Sequence, residues 1–352
     1  MNRYRAFAEG VVVMVCPVLL AIALEKVDLK SKEHGLVIPV IMLVVAAVTL
    51  IAGIFPFLIC RFPRERTGSP HAVTKFLVPL SSALLVVLAC WIHFIILAKW
   101  SYTAIGAVLG ASIVISSGIY CYRRNDAAGG NVEQLENSLE FSAGITALLF
   151  LGLEGLALEG QITAMQDRLT KPLVASLFAC IVGVCLMFVE TTSLLIRNRN
   201  VIREMTRVFD FFMTCAIFFV MFFTIQELMK IQALLLFAPP FLILMVLVYN
   251  NAISVQDGGN YELASLELTK VTFTGFLAVS IPSISKGSLN KGTHWFILLA
   301  AEAIVSGLGW RVLTHDKSAI FKKTAKVASF CTHLFIVIAA IPFTVMAGNA
   351  LS

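Results

Sequence analysis

The chain has 352 residues, 59% of them hydrophobic and only 14% charged, with a mean hydropathy of +0.89. Soluble domains carry about 25% charged residues. Here the charges gather in short stretches between apolar runs of about 20 residues, the length that crosses a bilayer core. A soluble enzyme and a nucleic-acid-binding domain are thereby excluded. The formal charge of +6 reads as loop asymmetry, because no basic block is interleaved with aromatics.

In chain order the apolar runs fall at 6–24, 36–60, 76–98, 102–121, 138–158, 173–196, 208–227, 231–250, 264–283, 294–313 and 327–347. The pattern predicts an all-α, polytopic membrane bundle of about 11 transmembrane helices, with residues 1–352 forming a single transmembrane domain. The first run follows a basic Met1–Arg5 segment, as a signal peptide does. Glu9 interrupts it, however, and it is read here as the first span. The ninth run is the weakest, because it holds Glu267 and Lys270.

With eleven spans, the side that holds the N-terminus carries nearly twice as many Lys and Arg as the other. The positive-inside rule then places the N-terminus in the cytoplasm and the C-terminus on the far side. The plasma membrane and internal membranes stay equally open. All eight cysteines lie within apolar runs or at their edges, so no disulfide framework is implied.

Two loops read alike. Residues 129–142 are GGNVEQLENSLEFS and residues 258–269 are GGNYELASLELT, which matches Glu140 with Glu267. Glu9 lies a similar distance before Glu140. The first and fifth runs end in Ala-Leu-Glu, and the second and sixth end in LICR and LLIR. The inferred unit is four helices, giving repeat units 1–128, 129–257 and 258–352 in a 4+4+3 arrangement. An even number of helices per unit makes the repeat parallel.

Ionisable groups at bilayer depth are costly, so each is a candidate. Glu9, Glu140, Asp210 and Glu267 lie within about a turn of cytoplasmic helix ends, where snorkelling or capping suffices. Glu267 and Lys270, at i,i+3, share one helix face and can neutralise each other. Glu154, Glu190 and Glu302 are deeper. Glu302 sits within LLAAEAIVSGLG, nearest the midplane and among small residues that let another helix approach. Such a carboxyl must be protonated, paired or hydrated in a cavity. Lys270 and Arg311 are the nearby cations, and Lys270 reaches Glu302 only if the ninth and tenth helices pack side by side. The candidate transport residues are therefore Glu302, Glu190, Glu154, Lys270 and Glu267.

His93 and His333 stand singly, which supplies neither a metal site nor a haem cage. Pro239-Pro240 must break or kink the eighth helix. Pro172 falls in the first turn of the sixth. Gly106 and Gly110 form a GxxxG stripe fit for helix packing within the protein or between protomers of a homo-oligomer. No Walker A loop, GxGxxG, HExxH or GxSxG occurs, so no enzyme activity and no cofactor are expected.

Two readings stay open. One is a secondary transporter or channel-like carrier of a small solute or ion. The other is a non-transporting interaction or signalling protein that acts through its cytoplasmic loops and helix faces.

Overall fold

In a computed structural model the described residues are 2–23, 37–61, 70–96, 141–152, 166–192, 199–252, 264–286, 289–314 and 319–351. Among them the chain is all-helical, with no strand. The helices are α1 (Asn2–Ala23), α2 (Val37–Arg61), α3 (Pro70–Ile96), α4 (Phe141–Gly152), α5 (Gln166–Thr192), α6 (Arg199–Met229), α7 (Ala238–Ala252), α8 (Ala264–Lys286), α9 (Lys291–Thr314) and α10 (Ala319–Leu351). A 3-10 segment, Lys230–Phe237, joins α6 to α7. Five stretches are long and apolar enough to cross a membrane: Val40–Leu58, Thr170–Val189, Val208–Asn250, Lys291–Leu313 and Lys323–Gly348. The chain is accordingly an integral membrane protein. The fourth run (102–121), with Gly106 and Gly110, and most of the two GGN loops lie outside the described residues.

The Val208–Asn250 stretch is 43 residues long. A straight α-helix of that length would measure about 65 Å, twice the ~30 Å hydrocarbon core. The backbone interrupts it. Lys230 takes a left-handed φ of 53°, the conformation that ends a helix one residue past its last turn. Lys230 opens an eight-residue 3-10 segment that ends at Phe237, and α-helix resumes at Ala238. Pro239 and Pro240 thus occupy the first turn of α7, where a missing N–H leaves no bond unmade. The diproline also explains the 3-10 geometry before it, because its rings would clash with the carbonyls of Leu235 and Leu236 in a continuous α-helix. Burial follows the three-residue period: Ala233 and Leu236 are buried while Ile231, Leu234 and Leu235 are exposed.

Replacing both prolines with alanine should let this segment become α-helical. The buried position one turn after Ala233 would then pass from Leu236 to Phe237. Spin labels at Leu236→Cys and Phe237→Cys should exchange oxygen accessibility in the alanine background. Unchanged accessibilities would show that something other than the prolines holds the 3-10 form.

The chain divides into two compact units, Met1–Ala216 and Ile217–Ser352. In the first, α1 packs on α2 and α5, and α3 packs on α2 and α5. Of the residues in the α5 span, 78% are buried, against 33% in α2. So α5 is the enclosed helix, and α2 turns a lipid-facing stripe outward, including Val44, Val48, Ile51 and Phe55. Pro172 lies inside α5 and not in its first turn. The helix starts at Gln166, because the polar Gln166–Lys171 stretch continues it beyond the apolar run.

In the second unit α9 is the enclosed helix, packed by α7, α8 and α10. Trp310 and Leu313 of α9 meet Ile243 of α7 and Ala325 and Ala328 of α10 in one apolar cluster. At the same level the Asn250 amide donates to the Thr324 hydroxyl, 3.3 Å away. The outer faces of α7 and α10 are apolar and exposed, with Phe241, Val248, Phe330 and Val337 all above 60%. A face of that composition is solvated by lipid.

Candidate functional site

The polar side chains within the spans are mostly spoken for. The hydroxyls of Thr49, Thr146, Thr191, Thr214, Thr224, Thr272, Ser283, Ser306 and Thr332 each donate to the carbonyl four residues earlier in their own helix. This pattern satisfies a hydroxyl in an apolar medium without any second helix. Ser81 is different, because it reaches across from α3 to the Thr49 carbonyl of α2, 3.2 Å away.

Against that background Glu302 stands apart. It is partly buried on α9. The Ser306 hydroxyl donates to its backbone carbonyl at 2.8 Å, but among the described residues no side chain hydrogen-bonds to or pairs with its carboxyl. Lys291, Trp295, Glu302 and Gly309 fall within a narrow stripe at 100° per residue, the least covered face of α9; Trp295 is 56% exposed. A Cβ on Gly309 would lie 2.7 Å from Ile243 Cδ1, so α7 crosses this stripe at Gly309. Glu302 sits two turns away, about 10 Å, between that crossing and the open indole of Trp295.

The expected Lys270 partner is not in place. Helices α8 and α9 do pack side by side, and Thr269 fills the space over Gly307. Glu302 lies five residues from Gly307, however, which turns it about 140° away from the side that meets α8. Lys270, next to Thr269 and about 100° from it around α8, is not paired with the Glu302 carboxyl. Glu267 lies on α8 and Glu190 on α5, with side chains outside the described set, and Glu154 lies outside the described residues altogether. Of these five, the two whose side chains are described, Glu302 and Lys270, are not brought together.

Asp210, which the sequence reading set within about a turn of a helix end, is enclosed by protein, and so is Arg311. Asp210 is 1% exposed and Arg311 is 3% exposed. Asp210 lies eleven residues into α6, flanked by Phe209, Phe211 and Phe212. Its short side chain cannot snorkel as a lysine can, and that was the available signal. Glu9, by contrast, is exposed and pairs with Arg5 at 2.7 Å. His294 of α9 contacts the Gln232 side chain of the 3-10 segment, and His333 bonds the Ser329 carbonyl at 2.7 Å. Among the described residues no group of three or more His, Cys, Asp or Glu side chains is placed to hold a metal ion.

No protein-family model matches the chain, and comparisons with curated proteins and with solved structures give no match. The chemistry available is therefore that of the site itself. A lone carboxyl at bilayer depth can take up and release a proton, or hold a small cation.

Proposed function

We propose that the chain is a secondary transporter or channel-like carrier of a small solute or ion, and that Glu302 is its proton- or cation-binding group. The observation that carries this reading is the Glu302 carboxyl. It lies at membrane depth in the most enclosed class of helix, without a described side-chain partner, and maintaining such a group is costly unless it is used. The interrupted 43-residue stretch lends support, since broken helices are common where transporters line a pathway. Uptake into liposomes holding the purified chain, with and without a pH gradient, tests it. Gradient-dependent accumulation of a solute is expected. Liposomes that stay silent across a broad solute screen would count for the second reading.

That second reading is a membrane interaction protein. Its specific support is the openness of the Trp295–Glu302 stripe, together with hydroxyls bonded within their own helices and not lining a route.

The carrier reading includes eleven spans with the N-terminus cytoplasmic. Tags at residue 2, after Arg197 and after Asp316 should all be reached from the cytoplasm, and a tag after Ser352 only from the opposite side. A cytoplasmic tag after Ser352 would remove the eleven-span topology and the 4+4+3 arrangement with it.

A further inference from the structure

Three helix pairs are joined by the same device. On α2, a Cβ at Gly53 would lie 2.9 Å from the Val11 Cβ of α1. On α5, a Cβ at Gly183 would run into the Thr146 hydroxyl of α4 and lie 3.0 Å from its Cβ. On α9, a Cβ at Gly307 would meet the Thr269 hydroxyl of α8 and lie 3.2 Å from its Cβ. In every case a branched side chain on the first helix fills a glycine notch on the second.

The surroundings of each notch also agree. Seven and four residues before the glycine stand Ala46 and Thr49 on α2, Ser176 and Ala179 on α5, and Ala300 and Ala303 on α9. All six are small and buried. One turn after the branched residue stand Val15, Phe150 and Phe273, each fully buried. A small-residue stripe alone is common among membrane helices. The same stripe, notch, knob and buried follower in three separate pairs is a pattern of several independent positions.

This register differs from the loop match. It pairs Thr146 with Thr269 and Gly183 with Gly307, which sets Glu267 opposite Gly144 and not opposite Glu140. It also assigns counterparts to Glu302, five residues before its notch glycine: Val48 on α2 and Phe178 on α5. None of the three is buried, so the position is peripheral in every copy, and it is apolar in two of them.

We infer that α2, α5 and α9 are copies of one notched helix, and that Glu302 is an addition made in one copy only, outside the packing that the copies share. Among these three helices there is therefore one carboxyl at this position, not a set related by the repeat, and the chain takes one proton or small cation there. The single-ion consequence rests on the carrier reading above, whereas the copy relationship does not.

The test replaces Glu302 with its own counterparts in the full-length purified chain. Glu302→Val and Glu302→Phe should both insert and should melt at or above the wild-type midpoint, followed by intrinsic tryptophan fluorescence. Phe is the discriminating variant. The loop-match register makes the buried Ala175 the counterpart, where a ring could not fit. A midpoint several degrees lower for either variant, or failure of either to insert, would overturn the inference. Melting needs no flux measurement, so this failure is distinguishable from a failure of the carrier role.

Discussion

Gly183→Ala and Gly307→Ala should be the most damaging single-methyl changes in the chain. Each added Cβ meets a branched side chain that cannot step aside freely. The Thr146 hydroxyl is committed to the Ser142 carbonyl at 2.6 Å, so rotating it away forfeits that bond and presents a methyl instead. Overpacking of this kind costs about 1–3 kcal/mol, and here it acts where one helix approaches the backbone of the other most closely. The expected result is a large loss of folded protein in detergent, read as monodisperse yield and melting midpoint. Removing the knob should restore it: Thr146→Ala should rescue Gly183→Ala, and Thr269→Ala should rescue Gly307→Ala, with no cross-rescue. Gly348→Ala is the control, since nothing lies within 4 Å of its added Cβ. Gly183→Ala and Gly307→Ala proteins that melt like wild type would mean the notches are not tight.

The second large effect concerns flux. Glu302→Gln keeps the shape and the hydrogen-bonding capacity of the side chain but cannot gain or lose a proton. If Glu302 carries protons, the Gln variant should fold and insert normally and lose pH-coupled uptake almost completely. Substrate exchange without a gradient is expected to survive better than gradient-driven accumulation. Full pH-dependent uptake by a well-folded Glu302→Gln protein would end the proton-carrier role.

Much of this architecture was legible in the residues, for identifiable reasons. Apolar length alone marks Val40–Leu58 and Lys323–Gly348 as spans. The diproline announced an interruption of the eighth run, and the change to α-helix at Ala238 stands beside it. What was not legible depends on neighbours. Whether Asp210 reaches the headgroups or is enclosed depends on what packs over Phe209 and Phe212, and no pattern within α6 says so. Lys270 and Glu302 looked like possible partners because they are near in sequence and on adjoining helices; the turn of about 140° between Glu302 and Gly307 becomes visible only once Gly307 is known to face α8. The notches were hidden for a related reason. Gly53, Gly183 and Gly307 sit in dissimilar local strings, and they become comparable only through the side chains that fill them.

One feature of α9 bears on how the chain is made. Its span has a hydropathy of 1.7, the lowest of the five, yet 78% of it is buried by protein, as high as any. A nascent segment is sorted by its free energy of transfer into lipid, which a central Glu makes less favourable by a few kcal/mol. By that measure α9 is, of these five, the one least able to leave the translocon unaided. Its entry into the bilayer must be assisted by helices already waiting there or arriving next, with α8 and α10 the natural escorts. The order of synthesis would then matter as much as the final contacts, and a truncation after Thr314 would strand the carboxylate-bearing helix at the moment when it most needs company.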